Sequence, residues 1–164
     1  MEQNTEFRSK GGEIMPVRKG TASLKLFWLL LQWTWCLPQN LVGLCISLLC
    51  RHGKKMRFHG AFVTAWKFRG CTSMGSFIFM DERSMHYEPL LVHEFGHTVQ
   101  SAVLGWLYLP VIWLPSVMWF SLPILRKYRK HRGVSYYSFY TESWANAWGE
   151  RFCGKPSMGK AMID

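Results

Sequence analysis

Apolar and polar positions alternate in four different textures along this chain, and each texture predicts a different element. Residues 1–22 are polar and carry Gly11-Gly12, which reads as a flexible polar tail. From Leu26 to Cys50 there are 25 residues without a formal charge, and from Thr98 to Leu125 another 28. Between them, residues 57–63 and 76–80 are rich in aromatic and β-branched side chains and read as strands, with a turn region around Gly70 and Gly75. Two helices carry the remaining pattern. Around residues 88–102, Pro89 suits a first turn and Glu88 favours the positive end of the helix dipole. Phe95, Val99 and Ala102 continue one face of it. Around residues 140–148 a second helix begins with Thr141 or Ser138 near its start. The end, 154–164, holds Gly154, Pro156 and Gly159 and reads as a loose terminus. The whole predicts one α+β domain over residues 23–153, with a short β-hairpin or small sheet and two long apolar helical segments.

As helix, each uncharged stretch would run roughly 35–40 Å, enough for a ~30 Å hydrocarbon core. Neither is a simple span. Pro38-Gln39-Asn40 interrupts the first, and Pro110, Pro115 and Pro123 interrupt the second. Basic residues stand on both sides of the first stretch: Arg18, Lys19 and Lys25 before it, Arg51, Lys54, Lys55 and Arg57 after it. Lys and Arg favour the cytoplasmic side, so one straight crossing would leave a basic flank on the wrong side. Two short arms folding back at Pro38-Gln39-Asn40 would keep both ends inside. The expectation is a membrane-associated protein with its site on the cytoplasmic side. The alternative is a cytoplasmic protein whose core helices are very apolar, which a mean hydropathy of −0.03 favours.

Charge and composition sharpen this picture. Nine tryptophans suit a headgroup region, and Arg126-Lys127-Tyr128-Arg129-Lys130-His131-Arg132 directly after an apolar run suits an anionic membrane surface as partner. A net charge of +10 also raises nucleic acid as a partner, with Arg57-Phe58-His59 and Trp66-Lys67-Phe68-Arg69 as the candidate stretch. These basics border apolar segments, where a membrane protein carries them, so nucleic acid is set aside. Five cysteines without a CxxC pair make no disulfide framework and point to a reducing interior. The apolar run starts late and has no small-x-small site before Pro38, so it makes a poor signal peptide. There is no P-loop and no internal repeat.

Chemistry concentrates in His93-Glu94-Phe95-Gly96-His97. On a helix, residues four apart share a face, so both imidazoles can reach one metal ion. Glu94 flanks that pair, where a carboxylate can take a proton from an attacking water and return it to a leaving group. A catalytic Zn2+ needs a third protein ligand and an open position. The downstream donors are His131 and the acids Glu142, Glu150 and Asp164. Glu142 is preferred because Asn146 follows it by four residues and can brace a ligand through its amide. His131 lies in a basic cluster that repels a cation. A hydrogen-bond donor for an oxyanion would come from Tyr136, Tyr137, Tyr140 or His131.

An HExxH followed tens of residues later by a helical ExxxD is the pattern of the gluzincin zinc metallopeptidases, which this chain resembles with Asn146 at the Asp place. Residue by residue, the resemblance implies His93, His97 and Glu142 as zinc ligands and Glu94 as general base. An amide orients a histidine less firmly than the carboxylate it replaces. The segments His-Glu-Phe-Gly-His-Thr-Val-Gln-Ser, Leu107-Tyr108-Leu109-Pro110, Leu114-Pro115-Ser116 and Thr141-Glu142-Ser143-Trp144-Ala145-Asn146 also resemble a set of small bacterial proteins, over residues 55–153. In zincin-type folds a strand lies beside the HExxH helix and substrate peptides pair with its edge; the strand expected at 76–80 is placed for that role.

The reading is therefore a minimal zincin-like, membrane-associated zinc metallohydrolase acting on a peptide or protein substrate. Two other classes stay open. One is a membrane-associated interaction or immunity-type protein with a structural or vestigial zinc site, which would tolerate loss of Glu94. The other is a metallohydrolase acting on a lipid or a cell-wall amide. A chain this small could also work within a larger assembly.

Overall fold

The structure is a computed structural model and describes residues 22–161, so the tail expected at 1–22 falls almost wholly outside the described residues. Three layers are stacked: helices Glu88–Leu104 and Tyr140–Cys153 on one side, a four-stranded sheet in the middle, and helix Leu37–Leu49 with the Leu109–Trp113 turn on the other. The chain opens with α1 (Ala22–Thr34) and α2 (Leu37–Leu49), continues through β1 (Lys55–Phe58), β2 (Ala61–Trp66), β3 (Thr72–Met74) and β4 (Phe77–Asp81), and enters α3 (Glu88–Leu104). A π-helical turn (Leu109–Trp113) then leads into α4 (Leu114–Ser121), α5 (Pro123–Arg132), α6 (Tyr140–Cys153) and α7 (Met158–Ala161). The fold is α+β.

Strand order is β1-β2-β4-β3, antiparallel except for the parallel pair β2 and β4. Alternation along β4 explains its central place. Ile78 and Met80 face α3 and join Val63, Leu91, Phe95 and Val99, whereas Phe77 and Phe79 face the other layer with Met74, Leu44, Ile46 and Trp113. A strand buried on both faces reads as a continuous apolar run.

Several expectations change here. The strand foreseen at 57–63 is split by a two-residue hairpin at His59 and Gly60, whose φ values of 46° and 92° give the twist that antiparallel strands need. The strand foreseen at the sheet edge, 76–80, is interior; β3 holds that edge beside α3. Both apolar segments are broken. The first bends at Trp35 and Cys36, just before Pro38, because Pro38 occupies the first turn of α2. In the second, Pro110, Pro115 and Pro123 likewise each open a new helical piece. Among the described residues no single helix is long and apolar enough to cross a membrane; residues Glu88–Leu107 and Leu109–Ser121 qualify only as a pair bent by 119°. Residues 154–161, foreseen as a loose end, are docked: Ser157 is fully buried, and its backbone N–H and hydroxyl both donate to Glu150 Oε1 at 3.2 and 2.8 Å.

Pro38-Gln39-Asn40 turns out to be a fastening. Gln39 Nε2 donates to Ser101 Oγ at 3.0 Å and to the Gly105 carbonyl at 2.9 Å, at the far end of α3. Asn40 Oδ1 accepts from the Ser76 N–H at 2.8 Å, and its Nδ2 donates to the Gln32 carbonyl on α1. Three buried side chains, Gln32, Gln39 and Asn40, thus stand where the apolar hairpin meets both α3 and the β3–β4 turn.

Candidate metal centre

Helices α3 and α6 pass each other antiparallel in steps of four residues. A Cβ on Gly96 would stand 1.9 Å from the Ala145 carbonyl oxygen, and one on Gly149 would stand 2.1 Å from that of Val92. One step further, Gln100 Nε2 donates to the Thr141 carbonyl at 2.9 Å. Glycine on each helix lets the backbones touch, and this contact sets His93 and His97 against Glu142 and Asn146. The spacing of HExxH and the spacing of Glu142 to Asn146 are the same four-residue step read in opposite directions.

His93 Nε2 lies 3.2 Å and His97 Nε2 3.6 Å from the same oxygen, Glu142 Oε2. All three side chains are buried, and their donor atoms lie within 4.8 Å of one another, so this group could hold a metal ion. The histidines are braced from behind. His93 Nδ1 meets Asn146 Oδ1 at 2.8 Å, and His97 Nδ1 meets Gln100 Oε1 at 2.7 Å. A peptide carbonyl only accepts, so the bond to Thr141 forces the Gln100 NH2 towards it and the amide oxygen towards His97. That fixes Nδ1–H as the donor and turns Nε2 towards the shared point.

Glu142 Oε1 accepts from Thr141 Oγ1 at 3.0 Å and from Ser116 Oγ, which arrives from the first turn of α4. Beside the group, Glu94 is buried and accepts from Ser73 Oγ at 2.7 Å through Oε2. Ser73 is held in turn by the buried Tyr108, whose hydroxyl donates to the Ser73 carbonyl at 2.8 Å. Electrostatics follow from this crowding. Burial opposes the His97 imidazolium, but contact with Glu142, aided by Glu94 and Gln100, outweighs it and lifts the pKa to about 9. Burial also works against the Glu142 carboxylate, yet the two histidines hold it far below the usual carboxylate range. A proton on His97 occupies the electron pair a cation would take, so proton and metal compete for the site.

Sequence reasoning brings His93, Glu94, His97, Glu142 and Asn146 together, and the structure does the same. Two of its candidates stand elsewhere. His131 is exposed in the last turn of α5, carried outward with the rest of that basic helix. The Tyr140 hydroxyl donates to the Val111 carbonyl at 2.6 Å and does not line the cleft. Tyr136 and Tyr137 do line it. Burial first and nearby carboxylates second push both phenols up, so both stay protonated donors. Tyr137 stands edge-on to His93, ring centres 5.1 Å apart. Gln100, Ser73, Tyr108 and Ser116 were missed. Gln100 signals itself three residues beyond His97 on the same helical face; Tyr108 and Ser116 stand in the segments that carry the resemblance, with no role assigned to them, and Ser73 comes from a separate strand.

No protein-family model, curated protein or solved structure matches this chain.

Proposed function

We propose that this chain is a zinc-dependent metallohydrolase that cleaves peptide bonds, with His93, His97 and Glu142 as metal ligands and Glu94 as general base. The supporting observation is the convergence of three buried donor atoms, each braced from behind, beside a buried carboxylate. Zinc bonds of about 2.0–2.1 Å set the ligand atoms of a tetrahedral site about 3.3 Å apart. The separations of 3.2 and 3.6 Å from Glu142 Oε2 to the two Nε2 atoms fit that edge. Two histidines and one carboxylate leave a fourth position open, as catalytic rather than structural zinc sites do. Bound zinc supplies the Lewis acidity that makes water acidic near neutral pH and polarises a carbonyl.

The chain's own groups supply the rest. Ser73 holds one oxygen of Glu94, leaving the other to take the proton of the attacking water and pass it to the leaving amine. Tyr137 is the best-placed oxyanion donor, since its hydroxyl has no partner among the described residues, whereas Tyr136 is engaged with Ser116 and Glu142. As the edge strand beside α3, β3 takes over the peptide-pairing role first assigned to residues 76–80. Ile46, Trp66, Phe68, Trp113 and Phe120 make the cleft walls apolar, which supports a second substrate class, an amide carried by a lipid or by cell wall. Exposed apolar side chains on α1 and α2 support association with a membrane, on its cytoplasmic side by the charge bias of the flanks.

Elemental mass spectrometry on purified protein tests the ligand set. The parent should carry about one zinc per chain and Glu142→Ala little. A Glu142→Ala protein that holds as much zinc as the parent removes that assignment. Glu94→Gln should keep the zinc and lose hydrolysis of unstructured peptides; unchanged hydrolysis removes Glu94 as base.

A further inference from the structure

The cleft in front of the metal group encloses about 800 Å3, and its mouth has two lips of the same composition. One is the loop between β2 and β3, with Lys67, Phe68, Arg69 and Gly70. The other is the end of α4 with the start of α5, where Phe120 and Arg126 line the opening. The lips approach at Gly70, where a Cβ would stand 3.6 Å from the tip of the Phe120 ring. Phe68 is 69% exposed and Phe120 53%. Each is held in place by an inner aromatic: Trp66 edge-on to Phe68 at 5.3 Å, and Tyr136 edge-on to Phe120 at 6.2 Å. On α5, Ile124 (74% exposed) and Tyr128 share a further outward apolar face, four residues apart.

Basic side chains accompany both phenylalanines. Lys67, Arg69, Arg126, Lys127 and Lys130 are exposed, and none forms an ion pair among the described residues. Arg129 behaves differently, since its guanidinium lies 4.7 Å over the Trp119 ring and donates to the Trp119 carbonyl, pinning α5 to α4. Among the described residues lining the cleft, Asp81 is the one acid apart from Glu94 and Glu142, and it already accepts from the Arg83 N–H at 2.9 Å. Glu94 and Glu142 are buried at the floor.

We infer that the mouth of this cleft docks on an anionic lipid surface, with Phe68 and Phe120 entering the headgroup layer and the flanking Arg and Lys meeting lipid phosphates. An acidic peptide would use the cations and leave both exposed rings idle. An uncharged apolar partner would use the rings and strand the cations. A bilayer interface uses both, since phenyl rings sit below the phosphates and long basic side chains reach up to them. Docked in this way, the cleft opens onto the headgroup region, and its substrate is an amide presented at the membrane–water boundary. That consequence rests on the hydrolase reading; the docking does not.

Co-sedimentation of the full chain with phosphatidylcholine vesicles, with and without about one-third phosphatidylglycerol, tests this. The parent should bind the anionic vesicles, lose binding as salt rises and bind the neutral ones weakly. Phe68→Ser/Phe120→Ser and Arg69→Glu/Arg126→Glu should each weaken binding about tenfold or more, with unchanged thermal midpoints. Arg69→Lys/Arg126→Lys keeps the charge and should bind as the parent does. Lip variants that sediment like the parent overturn the inference, and a loss confined to Leu48→Ser/Leu49→Ser moves the contact to α2. No turnover or zinc enters the assay, so a failed hydrolase can still dock and a zinc-loaded protein can still fail to dock.

Discussion

Two clusters of buried polar side chains among the described residues turn their hydrogen bonds in opposite ways. Gln32, Gln39 and Asn40 fasten α1 and α2 to the rest, with amides bonded to main-chain atoms of α1, the end of α3 and the β3–β4 turn and to the Ser101 and Gln32 side chains. His93, His97, Glu142, Gln100 and Asn146 also bridge two helices, but there the amides face away and present oxygen to imidazoles. What remains are electron pairs, two Nε2 and one Oε2, aimed at a common point. Burial and polarity are therefore no guide to function by themselves. A cluster that turns its hydrogen bonds onto main chain is a clasp. A cluster that leaves titratable lone pairs converging is a candidate metal site.

The first way to break the comparison is to part α3 from α6. Gly96→Ala puts a methyl group 1.9 Å from a carbonyl oxygen on a helix that cannot yield locally. Loss of about 3 kcal/mol or more is expected, with loss of bound metal, checked by thermal unfolding and elemental analysis. Gly43→Ala is the matched control on α2, where the new Cβ meets the Phe77 ring at 2.7 Å and the Met74 carbonyl at 2.8 Å. It should cost about 1–3 kcal/mol and leave metal content untouched. Next come the proposed ligands. His93→Ala and His97→Ala should each leave little zinc while the apo fold persists, because the glycine contacts between the helices remain. A fully loaded His97→Ala would show that the metal sits elsewhere.

Much of the site was legible because helices convert sequence spacing into faces. HExxH and the four-residue step from Glu142 to Asn146 each place a pair of residues on one side, and both pairs meet in the structure. The strands were less legible. The expected strand over residues 57–63 hid a hairpin at His59 and Gly60, because a lone glycine within a strand-like run reads equally as a bulge in one strand or as the reversal between two. Edge and centre of the sheet were also exchanged: β4 precedes α3 in sequence, but the parallel pairing with β2 buries it and leaves β3 outside. Pro38-Gln39-Asn40 was read as a break in a membrane hairpin. The hydrogen-bond partners of Gln39 and Asn40, namely Ser76, Ser101 and Gly105, lie 36 to 66 positions away. No local pattern carries such a pairing.

The smallest expected effects are the most discriminating, since they compare the two clusters one amide at a time. Gln100→Ala removes the acceptor that fixes the His97 tautomer and the donor to the Thr141 carbonyl. Loss of such a brace typically costs about 10–100-fold in metal affinity. Asn146→Ala should fall in the same range through His93. Asn40→Ala leaves the Ser76 N–H without its acceptor and should cost about 1–3 kcal/mol of stability, with metal affinity equal to that of the parent. Competition titration against a zinc chelator, read beside thermal midpoints, separates the two. If Asn40→Ala weakened zinc as much as Gln100→Ala, the clasp would be part of the site, coupled to it through the Ser101 end of α3. If neither affinity moved, Nε2 of His97 would be held by the packing of α3 against α6 alone, and Gln100 would be one more fastening.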